Sequence, residues 1–82
     1  MKLNNIYQEF ETLSEKIGIR VIKDKGNFIG GYCKILKEEV IVLNKNNPIE
    51  QKIKQLALVF SKIDIDNTYI KPKIREIINN YT

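Results

Sequence analysis

Gly26, Gly30 and Gly31 sit in the stretch GNFIGGYCKI and are the first residues of this chain whose spacing could serve chemistry. Backbone N–H groups exposed by a glycine-rich loop cradle a phosphate when a helix N-terminus stands behind them. A loop of that kind needs a lysine and a hydroxyl side chain directly after its glycines. Here Tyr32 and Cys33 follow, and they open a strand pattern. A dinucleotide fingerprint needs G-x-G-x-x-G opening a helix, which the spacing 26, 30, 31 does not supply. The glycines are expected to bend the chain and to feed an edge strand through a bulge.

Other chemistry has little to work with. The sequence holds no histidine and one cysteine, Cys33, so a zinc site lacks its usual donors and no internal disulfide can form. Asp64 and Asp66 alternate in DIDN without the pattern of a calcium loop, and read as solvated linker residues. Ser14 and Ser61 fall in helical stretches with no histidine to activate them. In a strand pattern Cys33 reads as an inert, buried thiol. The expectation is a protein with no catalytic residue, metal ligand or cofactor, and no small-molecule ligand.

Charge suggests a different class of partner. Fourteen basic residues stand against ten acidic ones, for a net charge of +4. Lys71, Lys73 and Arg75 gather at the start of the last helical stretch. Positive side chains there oppose the helix dipole unless an anion is bound, which makes them candidate anion or nucleic-acid contacts. However, the whole chain leans on lysine, asparagine and isoleucine, a bias that raises the charge without any partner. Neither an aromatic-rich RNA-binding strand nor a helix-turn-helix pattern accompanies the basic residues. Nucleic-acid binding is therefore the alternative function. No run approaches the roughly 20 apolar residues of a membrane span. Glu9, Glu11 and Glu15 interrupt the place of a secretory leader's apolar core, so a cytoplasmic location is expected.

The elements that must position these residues follow from periodicity. Leu3, Ile6, Tyr7, Phe10, Leu13 and Ile17 recur at three and four, a helix ended by Gly18. Ile19–Ile22, Tyr32–Leu36 and Val40–Leu43 read as strands, the last two joined across Lys37-Glu38-Glu39 as a hairpin. Asp24-Lys25-Gly26-Asn27 reads as a turn. Asn47-Pro48-Ile49-Glu50 predicts a helix start with Asn47 as cap, Pro48 at the first helical position and Glu50 reaching back. That helix carries Ile49, Ile53, Leu56, Ala57, Phe60 and Ile63 on one side, and Leu58 and Val59 broaden its apolar face. Asp64 to Thr68 reads as a linker to a last helix with Pro72 near its start. One α+β domain over residues 1–82 is expected, in the order α-β-β-β-α-α. Its three helices would cover one side of a small, largely antiparallel three-stranded sheet.

LSEKIGIRV, GNFIGGYCKI, VIVLNKN and QKIKQLALVFSKI, taken in that order, resemble the core of ImmA/IrrE-type metallopeptidase domains over roughly residues 13 to 62. The resemblance places the two zinc histidines of that family at Leu58 and Lys62 and its catalytic glutamate at Val59. All three functional residues are absent here, so it implies the scaffold without the protease chemistry. A zinc hydrolase needs its ligands and its base together on one helix face. The remaining reading is a non-catalytic protein that works through a protein partner or as a homodimer. Phe28, Ile29, Gly30, Gly31, Leu58 and Val59 are its candidate interface, because an exposed apolar patch usually marks a contact.

Overall fold

The computed structural model describes residues 2–26, 30–65 and 67–81. Phe28 and Ile29, two of the expected interface residues, lie outside the described residues, as does Asp66. The described elements are α1 (Leu3–Lys16), β1 (Arg20–Asp24), β2 (Gly30–Ile35), β3 (Glu38–Asn44), α2 (Ile49–Ser61) and α3 (Pro72–Asn79). Their order is the expected one.

The apolar period of α1 buries Ile6, Phe10 and Leu13 on one face, with Ser14 beside them donating from its hydroxyl to Phe10 O at 2.9 Å. After Ile17 the helix closes on two backbone bonds: Gly18 N–H donates to Glu15 O, and Ile19 N–H to Ser14 O at 2.9 Å. That is the Schellman pattern, and it needs a left-handed residue between helix and exit. Gly18 supplies it at φ +83°. The turn delivers Ile19 into the core and aims the chain along β1.

The sheet is where the structure departs from expectation. Its strand order is β1-β3-β2, with β1 parallel to β3 and β2 antiparallel to it. The sheet is thus mixed and not largely antiparallel. Burial explains the arrangement. Val40-Ile41-Val42-Leu43 is the one continuous apolar run among the strands, and such a run is most stable with a neighbour on each side. Arg20, Lys23 and Asp24 suit β1 to an edge, and Gly30, Gly31 and Lys34 suit β2 to the other. A hairpin fixes β2 against β3, which leaves the far side of β3 for β1. Asn44 ties the crossing at the strand ends: its Nδ2 donates to Gly26 O at 2.8 Å and its Oδ1 accepts from Asn46 N–H at 2.9 Å.

Several boundaries also move: β1 begins at Arg20 and takes in Asp24, which was expected in the turn, and β2 begins two residues early, at Gly30. The hairpin turns on Leu36 and Lys37, so Glu38 and Glu39 belong to β3 and Leu36 is not a strand residue. Leu36 stands at φ +59° and is 97% exposed, a conformation more often given to glycine or asparagine. α2 begins at Ile49 with Pro48 in the N-cap position, one residue later than expected.

Alternation along the strands decides which residues meet the helices. Ile41 and Leu43 of β3, with Val21 of β1, join the helices in the core, whereas Val40, Val42 and Ile22 face the other side, where Val40 is fully buried as well and Val42 and Ile22 are half-buried. α1 lies over β1, α2 lies over β2 and β3, and α3 packs on both helices. Phe10 of α1 and Phe60 of α2 stack at the centre, ring centroids 5.7 Å apart and planes 24° apart. Among the described residues no helix is long and apolar enough to cross a membrane.

Candidate protein-contact site

A cleft of about 670 Å³ opens between β2 and α2. Gly30, Gly31 and Tyr32 form one wall, and Gln55, Leu58, Val59, Lys62 and Ile63 form the other. Four of the six expected interface residues, Gly30, Gly31, Leu58 and Val59, therefore converge on one place. They come together because α2 packs over β2 and β3, with Leu58 at the margin of its buried face and Val59 within it. Val59 is itself part of the core and shows only its rim, whereas Leu58 is half-buried. The expectation that both would be exposed holds in part for Leu58 alone.

The two glycines do different things. A Cβ built on Gly30 would lie 2.5 Å from Val42 O and 3.5 Å from Gln55 Oε1. Its φ of +100° is in the left-handed half of the map. Gly30 is therefore demanded by this chain's own neighbour, the backbone of β3. A Cβ on Gly31 would point to the other face of the sheet and meet nothing within 4 Å, so no neighbour in this chain crowds that position.

Polar groups sit at the rim. The Tyr32 hydroxyl donates to Glu39 Oε2 at 2.9 Å, and the carboxylate it meets raises the phenol's pKa above its ordinary 10.0. Lys62 is exposed at the C-cap of α2, where its charge complements the helix dipole. Tyr32, Gln55 and Ile63 were not marked as site residues by sequence reasoning. Gln55 had a signal, as a polar residue one step before an unbroken apolar run, Leu56 to Phe60. The face that Tyr32 takes depends on the register with Ile41, which no local pattern gives.

The basic residues at the start of α3 differ in their surroundings. Lys71 Nζ is held by Glu9 Oε1 of α1 at 2.7 Å, which fastens the start of α3 to α1. Lys73 is exposed and Arg75 is half-buried.

Leu58, Val59 and Lys62, the positions at which the sequence resemblance puts metallopeptidase residues, all line the cleft. Comparison with protein-family models, with curated proteins and with solved structures gave no match.

Proposed function

We propose that this chain is a non-catalytic protein that works through protein–protein contacts, self-association among them, and that the β2–α2 cleft is its contact site. The observation that carries the reading is the convergence of Gly30, Gly31, Leu58 and Val59 on one apolar cleft beside an open sheet edge. An edge strand offers backbone donors and acceptors to an incoming extended segment, and an apolar groove beside it takes that segment's side chains. Leu58 and Lys62 stand where the resemblance puts zinc histidines and Val59 where it puts the catalytic glutamate, and these side chains suit packing and an acidic neighbour instead. The alternative, a basic nucleic-acid-binding protein using Lys71, Lys73 and Arg75, is weakened by the engagement of Lys71 with Glu9.

A photo-reactive benzoylphenylalanine placed at position 58, and in a parallel variant at the exposed Gln8 of α1, tests the site. Crosslinked species of defined mass are expected from position 58 and not from position 8. The same weak, diffuse pattern from both positions sinks the reading. Binding of mixed RNA that weakens steeply between about 50 and 200 mM salt would favour the alternative, because phosphate contacts release counterions.

A further inference from the structure

The two edges of the sheet are unequal. β1 carries Arg20, Lys23 and Asp24 and has α1 above it, and charged edges resist pairing with another chain. β2 reads Gly30-Gly31-Tyr32-Cys33-Lys34-Ile35, with one charge and no proline. Its outer side pairs with nothing among the described residues. Tyr32 and Lys34 face the helices, paired with Ile41 and Glu39, and Gly31, Cys33 and Ile35 face the other side. Ile35 is 50% exposed and Tyr32 41%. Lys34 makes no ion pair among the described residues, although Glu39, which accepts from the Tyr32 hydroxyl, stands opposite it.

We propose that β2 pairs with β2 of a second copy, antiparallel about a twofold axis at Cys33, joining two three-stranded sheets into one of six strands. This rests on the reading that the cleft and its edge form a protein contact, and it names the partner. A twofold axis normal to the sheet puts like faces together, so the helices of both copies share one side and the two clefts meet at the junction. The pairs across the axis are then Cys33 with Cys33, Tyr32 with Lys34, and Gly31 with Ile35.

Each pair fits what the monomer leaves open. Ile35 comes to lie beside Gly31, where a side chain meets nothing of its own chain within 4 Å. Lys34 comes to lie beside the ring of Tyr32 and the Glu39 carboxylate that Tyr32 holds, so its charge gains both a ring and an anion. Other registers of the same symmetry lose this match. An axis at Tyr32 brings Lys34 opposite Gly30, over the cleft that Lys62 already lines. An axis at Lys34 sets two lysines opposite each other. Charge selects the Cys33 register.

Cys33 also supplies the reporter. Residues directly opposite in an antiparallel pair have Cα atoms about 4.5–5.5 Å apart, within the reach of a disulfide. Copper–phenanthroline with dioxygen takes two electrons and two protons from a thiol pair held so close, forming one S–S bond. Sedimentation of the purified chain at about 0.1–1 mM is expected to give twice the monomer mass. Oxidation should then yield a crosslinked dimer that dithiothreitol reverses. Cys33→Ala should lose the crosslink and keep the double mass. Ile35→Lys, at an exposed position that leaves the fold intact by circular dichroism, should weaken association at least about tenfold. A monomer at every concentration overturns the proposal, and so does a double mass that survives Ile35→Lys without crosslinking at Cys33. A monomer that still crosslinks from position 58 to a foreign protein sinks the second copy and leaves the contact-site reading standing.

Discussion

Gly30 and Gly31 are adjacent, identical in type and opposite in what they require. Gly30 combines φ +100° with a neighbouring carbonyl oxygen 2.5 Å from where a Cβ would stand. Backbone strain and overpacking each cost about 1–3 kcal/mol. Gly30→Ala is therefore expected to destabilise the fold by about 2–6 kcal/mol, read from the urea midpoint at unchanged slope. Gly31→Ala, with strain but no clash, should cost clearly less. Equal losses would show that the close approach to β3 is not what selects glycine. The sequence was enough to refuse these residues a phosphate, since a strand follows them. It was not enough to tell them apart, because the atom that compels Gly30 is the carbonyl oxygen of Val42, brought close only by the pairing of β2 with β3.

Between elements, α1 is clasped to β1 by one small cluster. Lys23 Nζ lies 2.8 Å from Glu11 Oε2 and 5.5 Å from the centre of the Tyr7 ring. The hydrogen bond to Glu11, above all, holds the Lys23 pKa above its ordinary 10.5, and burial, above all, holds that of Tyr7 above 10.0. Both groups keep their protons to higher pH in the fold than in the unfolded chain. The stability they add is fully present below about pH 10 and is lost as pH climbs through their raised values. Equilibrium unfolding followed from pH 8 to 11 should show an alkaline decline that the double variant Lys23→Met, Tyr7→Phe shows less. The same decline in both proteins would place its cause elsewhere. Tyr7 and Glu11 could be seen in sequence as helical neighbours, but their partner Lys23 could not, since it arrives after the turn at Gly18. The mixed sheet was hidden for the same reason. Hairpins show in local spacing, whereas the strand that docks on the far side of β3 shows only in the relative apolarity of three separate runs.

At the scale of the whole molecule, the fold joins contacts of very different span. β2 and β3 close across two residues, Leu36 and Lys37. β1 and β3 pair residues twenty positions apart, Arg20 with Val40 through Asp24 with Asn44. Loop closure costs more for the longer span, so the hairpin with α2 above it is expected to form before β1 docks. In stopped-flow measurements, Val21→Ala should chiefly speed unfolding, whereas Leu43→Ala should also slow folding. A reversed pattern would make β1 part of the early nucleus. The parallel pairing also has a meaning during synthesis. The residues of β1 leave the ribosome well before those of β3, their one strand partner among the described residues. At about 5–20 residues per second, β1 waits roughly one to four seconds for that partner. Its Arg20, Lys23 and Asp24 are then the groups that keep a waiting strand from pairing with the wrong neighbour.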